Sequence, residues 1–189
     1  MAVKRWLAVS AVAASVIALA GCAMGGGGGS AQDVPHDAAS GGQTLAEMKD
    51  SLGAVPGLLV TDVVGGERPN VKGNTGYALS LEVEPGYAVA DGAALVDFVV
   101  ASVWSVREGY MPNARIDIRV RTPEAAPFDV AAAAADAGWT SAGATTSSTY
   151  SSVAIDLSAD KEQGERNLER LGSWPGDAPD AAAGITVKE

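Results

Sequence analysis

The chain reads as an α+β domain in which a small antiparallel or mixed sheet carries its helices on one face. Three observations lead there. Two segments, 77–85 and 114–122, alternate apolar and polar residues with the period of two that marks a strand with one wet face. Two others, 44–53 and 91–108, repeat apolar residues at helical spacing. The element types then follow as helix, strand, strand, helix, strand, helix, strand, helix, the order of an α+β sandwich rather than of a regular βαβ alternation.

Taken in order, Leu45, Met48 and Leu52 share a helix face, with Thr44 as N-cap and Glu47 completing a capping box, and the helix stops near Gly53. Leu58 to Val64 is branched and apolar enough for a strand, and Gly65 to Gly76, with Pro69, Gly73 and Asn74, is the loop after it. Leu79, Leu81 and Val83 alternate with Ser80, Glu82 and Glu84 in the next strand. Asp91 caps the main core helix, expected to reach about Glu108 because Leu95, Val96, Val99, Val100, Val103 and Val106 fall on one broad face. In 114–122, Ile116, Ile118 and Val120 point inward while Arg115, Asp117, Arg119 and Arg121 point out. An alanine-rich helix from Asp129 closes at Gly138. Thr149 to Leu157 is a strand with Val153, Ile155 and Leu157 inward, and Ser158 is the expected cap of a charged helix to about Leu171. This succession resembles ferredoxin-like sandwiches in element order alone, which carries no functional implication.

The start of the chain carries an address. Lys4 and Arg5 precede an uncharged run of small and apolar residues to Ala20, the layout of a signal peptide and too short for the roughly 20 residues that cross a bilayer comfortably. Leu19-Ala20-Gly21-Cys22 resembles the lipobox of bacterial lipoproteins. The resemblance implies removal of 1–21, acylation of Cys22 and a mature chain of 189 − 21 = 168 residues on the extracytoplasmic side of the cell membrane, lipid-anchored. Each buried methylene contributes roughly 0.8 kcal/mol, so two acyl chains hold a protein durably where one lets it exchange. Residues 22–43, with Gly25 to Gly29 in a row, are the expected tether, 44–174 the single domain, and 175–189, rich in Asp, Ala and Pro, the expected disordered tail.

Composition removes several function classes. The net charge is −10, and loss of Lys4 and Arg5 takes the mature form to 11 − 23 = −12. Such a surface repels polyanions and lacks the basic cluster that nucleic-acid binding needs. Adsorption to anionic headgroups is disfavoured for the same reason, leaving membrane residence to the lipid. A single cysteine forms no intrachain disulfide.

Catalytic chemistry finds few candidates. The one histidine, His36, falls in the tether segment, so neither a Ser/His/Asp nor a Cys/His set sits on rigid structure. No metal-ligand spacing is apparent, and nothing in the chain calls for a cofactor. Ser158-Ala159-Asp160-Lys161 matches the Ser-x-x-Lys pattern of penicillin-binding proteins and serine β-lactamases, but their Ser-Asp-Asn-like and Lys-Thr-Gly-like elements are missing, and capping accounts for Ser158. The suggestive surface is the exposed sheet face: Glu82 and Glu84 on one strand, Arg115, Arg119 and Arg121 on another, Tyr150 on a third. Arginine forks there suit carboxylates or phosphates, while cross-strand Glu/Arg pairing, contributing roughly 0.2–1 kcal/mol per pair, would serve the sheet alone. Trp104, Trp139 and Trp174 are expected core residues, and the 65–76 loop is either a binding loop or a long hairpin connection. The expectation for function is a non-enzymatic envelope module, engaging an envelope protein partner or, alternatively, a small anionic ligand on the arginine-bearing face.

Overall fold

A computed structural model describes residues 33–141 and 149–189. Its elements are α1 (Leu45–Gly53), β1 (Leu58–Gly65), β2 (Gly76–Val83), β3 (Tyr87–Val89), α2 (Gly92–Trp104), β4 (Arg115–Arg121), α3 (Val130–Asp136), β5 (Tyr150–Asp156), α4 (Glu162–Leu171) and β6 (Thr186–Lys188). Four strands form a mixed sheet in the order β1-β2-β4-β5, and β3 pairs with β6 in a small second sheet. β1 runs antiparallel to β2, β2 parallel to β4, and β4 antiparallel to β5. A parallel pair requires a crossover, and α2 supplies it between β2 and β4. These two strands are direct neighbours, so the βαβ unit is not split as in a ferredoxin-like sheet. The α+β class with a mixed sheet is as the alternation indicated.

The inward residues of β2, β4 and β5 make the sheet's share of the core: Leu79, Leu81, Val83, Ile116, Ile118, Val120 and Ile155 are all buried. Against them α2 lays Leu95, Val96, Val99, Val100 and Val103, α1 adds Met48 and Leu52, and α3 adds Val130, Ala133 and Ala134, one continuous cluster on a single face of the sheet. Each Val, Leu, Ile or Met among them contributes roughly 1.5–3 kcal/mol on leaving water. The alanines of α3 allow it close to α2, where a Cβ at Gly92 would meet Ala133 Cβ at 2.9 Å. The other face of the sheet stays open.

Four sequence expectations are corrected by tertiary contacts. The core helix ends at Trp104 rather than Glu108, because the following residues are taken by the N-terminal segment: Gln43 N–H donates to Ser105 O at 2.9 Å and Arg107 N–H to Gln43 O at 3.0 Å. That also draws 35–43 out of the tether and onto the domain, with Met111 N–H donating to Pro35 O at 2.8 Å and Gln43 itself buried. Ser158 does not cap α4, which begins at Glu162 with Lys161 in the N-cap position and no side-chain cap bond. The stretch 175–189, expected as a disordered tail, returns to the domain: β6 pairs with β3, and Ile185 is 1% exposed, its carbonyl accepting Ala90 N–H at 2.9 Å. The strand β3 itself carried too short an apolar pattern to be read.

Candidate functional site

Cross-strand register sets the open face in rows. Leu59, Glu82, Arg121 and Tyr150 lie side by side across β1, β2, β4 and β5; the next row is Asp62, Ser80, Arg119 and Ser152; then Val64, Ala78, Asp117 and Ala154. Arg119 and Arg121 thus stand on the inner strand β4, flanked by the small side chains of Ser80 and Ser152 in one row and by Glu82 and Tyr150 in the other. A β-bulge at Thr61 between Val60 and Asp62 brings Thr61 and Asp62 both outward. Thr61, Asp62, Ser80, Glu82, Arg119 and Arg121 border a shallow cavity of about 250 Å³ together with Tyr150.

The expected Glu/Arg ladder is not formed. Glu82 is opposite Arg121 in register, yet among the described residues neither Arg119 nor Arg121 makes an ion pair or side-chain hydrogen bond, and Glu84 lies beyond the end of β2 in the turn to β3, where its N–H donates to Gly57 O at 2.9 Å. Arg115 instead pairs along its own strand, its Nε 3.0 Å from Asp117 Oδ2. Arg115 thus borders a different cavity from Arg119 and Arg121. Arg115 and Arg121 are six residues apart on a strand, roughly 20 Å at about 3.3 Å per residue.

Apolar groups share this face. Leu59, Val64 and Tyr150 are 45%, 49% and 51% exposed, among the largest apolar exposures in the described residues. They stand on the face that carries Arg119 and Arg121, which make no ion pair among the described residues.

At the opposite end of β4 lies a larger cavity of about 490 Å³, bordered by Asn70 and Asn74 of the β1–β2 loop, Gly76 of β2, Arg115 of β4, and Ser158 and Lys161 of the turn before α4. Two stretches that the sequence left separate, the 65–76 loop and the Ser158/Lys161 pair, meet here. Asp156 organises the turn: its Oδ1 accepts Ser158 N–H at 2.8 Å and its Oδ2 lies 2.6 Å from Lys161 Nζ. Partial burial alone would raise the Asp156 carboxyl, but the hydrogen bonds from Lys161 and from Ser158 N–H outweigh it and hold the group below the ordinary carboxylate range. The same bond from Asp156, with its charge, raises the Lys161 ammonium. Ser158 Oγ donates to Ala114 O at 3.4 Å, not to Lys161. A lysine that activates serine must shed its proton near neutral pH; this one is held protonated.

The remaining candidates are structural or lie elsewhere. Trp104 and Trp139 are buried, their indole N–H groups donating to Ser173 O at 3.2 Å and Asp97 Oδ1 at 2.6 Å, and Arg170 stacks over Trp139 at 3.9 Å while bonding Asp97 at 2.7 Å. His36 packs exposed beside Tyr110, ring centroids 4.9 Å apart. Cys22 lies outside the described residues. Among the described residues, no three His, Cys, Asp or Glu side chains converge to hold a metal ion, and no helix is long and apolar enough to cross a membrane. No protein-family model, curated protein or solved structure matches this chain.

Proposed function

We propose that this chain is an exported lipoprotein, held on the extracytoplasmic side of the cell membrane by acyl chains on Cys22, and that its domain is a non-enzymatic module engaging another envelope component through the open sheet face. The address rests on the lipobox-like Leu19-Ala20-Gly21-Cys22. The observation that carries the working surface is the exposure of Leu59, Val64 and Tyr150 on the same four strands as Arg119 and Arg121, which have no ion pair among the described residues. Tyrosine and arginine, with tryptophan, are enriched among the residues that dominate binding at protein interfaces. The protonated Lys161 speaks against a serine–lysine enzyme.

The test is site-specific photo-crosslinking in intact membranes. A probe at Leu59 should give a discrete adduct that Arg119→Glu/Arg121→Glu abolishes, while a probe at Arg166 on α4 gives none. Equal adducts from both positions, or an adduct indifferent to the arginines, would remove this face from the function.

A second reading, a small anionic ligand over Arg119 and Arg121, is favoured by the same lack of ion pairs. Loss of ligand-induced thermal stabilisation in Arg119→Ala/Arg121→Ala distinguishes it.

A further inference from the structure

The cavity at the far end of β4 is bordered by donors from three separate parts of the chain, and most of their bonding capacity is unspent. Asn70 Oδ1 accepts Lys72 N–H at 2.8 Å and Asn74 N–H at 3.1 Å, which fixes its amide and leaves Nδ2 as a donor. Asn74 has no side-chain hydrogen bond among the described residues. Arg115 uses only Nε, toward Asp117, so both terminal nitrogens of its guanidinium are without a partner among the described residues. Lys161 uses one of three N–H bonds, toward Asp156.

Of the two carboxylates nearby, Asp117 borders the cavity itself and Asp156 does not, and each is engaged by a cation. Asp117 and Asp156 hold two long cationic side chains, which would otherwise sample many rotamers, at the ends of β4 and β5. Less side-chain entropy is then lost when a ligand arrives. Gly76 and Ala78, which project little into the space, border it beside Val64, Thr75 and Tyr77. The volume of about 490 Å³ lies within the usual range of small-molecule sites.

Forked guanidinium donors, an ammonium and two amides converging on one space suit an acceptor with several oxygens. We infer that this cavity binds an oxyanion, a phosphate or carboxylate group carried on a small molecule, with Arg115 and Lys161 as its charged contacts and Asn70 and Asn74 as its neutral ones. The cavity lies at the other end of the same open face, bordered by Val64, Ala78 and Asp117, so it shares ligand charge but not the Arg119/Arg121 position with the anionic-ligand reading, and its response to anions is separable from a partner contact read at Leu59.

The experiment measures the thermal midpoint of the full-length protein against rising inorganic phosphate or succinate, with sodium chloride matched for ionic strength. A saturable rise of about 5 °C at hundredfold excess over Kd is expected with at least one oxyanion and not with chloride. The rise should vanish in Arg115→Gln/Lys161→Gln and persist in Arg119→Ala/Arg121→Ala. Asn74→Asp leaves both ion pairs in place and should weaken binding at least tenfold, which separates ligand loss from misfolding. No saturable response to either anion, or a response that survives Arg115→Gln/Lys161→Gln, would overturn the site. Loss in the Arg119/Arg121 variant alone would also overturn it, assigning the anion to the open face.

Discussion

Tyr77 joins register, packing and titration in one side chain. It sits across from Gly65, and a Cβ on that glycine would lie 2.2 Å from the tyrosine ring, so the strand end admits no side chain opposite the aromatic. The ring is 3% exposed, and its hydroxyl donates to Glu108 O at 3.4 Å. Burial, and then the charge of Glu108, push its pKa from 10.0 to about 12. Because the folded value is raised, the contribution to stability is fully present below pH 10 and is lost as pH rises toward 12, where the unfolded chain ionises first. Denaturant titrations across that window should show a steeper stability loss for the native chain than for Tyr77→Phe. Parallel pH profiles would mean that the phenol ionises as freely in the fold as out of it. Asp156 is the opposite case at the same scale, a carboxylate kept charged by its two neighbours. Its identity as the organiser of Ser158 and Lys161 was invisible in sequence, because a Ser-x-x-Lys spacing says nothing about a third group two residues upstream.

At the scale of elements, local signals and long-range pairing divide the chain cleanly. The capping box of α1 formed as read, with Thr44 Oγ1 accepting Glu47 N–H at 3.1 Å and Glu47 Oε2 accepting Thr44 N–H at 2.7 Å. The bonds span three residues, so the pattern was complete in the sequence. The C-terminal segment is the contrary example. Its Ala, Asp and Pro gave no periodicity, and only β3, about a hundred residues earlier, makes a strand of Thr186–Lys188. Thr186 Oγ1 also donates to Pro56 O, tying the segment to the start of β1. Ile185 fills the core at 1% exposure, so Ile185→Ala should cost about 2–5 kcal/mol in chemical denaturation. A change below about 0.5 kcal/mol, the ordinary effect of a surface substitution, would show that the segment is not part of the cooperative unit. The early end of α2 has the same origin, since residues 105–107 pair with Gln43 instead of continuing a helix their side chains would support.

For the whole molecule, the functional expectation turns on where the domain is held. Under the proposed anchor, a net charge of −10 disfavours adsorption to anionic headgroups, so Cys22 would carry membrane residence. Intact-mass analysis of membrane-fraction protein should find a diacylated chain starting at Cys22, and Cys22→Ala should appear in the soluble fraction instead. An unmodified wild-type chain in the soluble fraction would sink the anchor. The sequence by itself determined the α+β class, the inward residues of the long strands and helices, and the outward arginines of β4, because periods of 2 and 3.6 and single-turn caps are written within a few neighbouring residues. Long-range packing settled that Arg115 borders a cavity with Lys161 and the 65–76 loop, that Arg119 and Arg121 make no ion pair among the described residues, and that both ends of the described chain return to the core. Those outcomes depend on strand order and register between residues far apart in the chain, and no local pattern encodes which strands become neighbours.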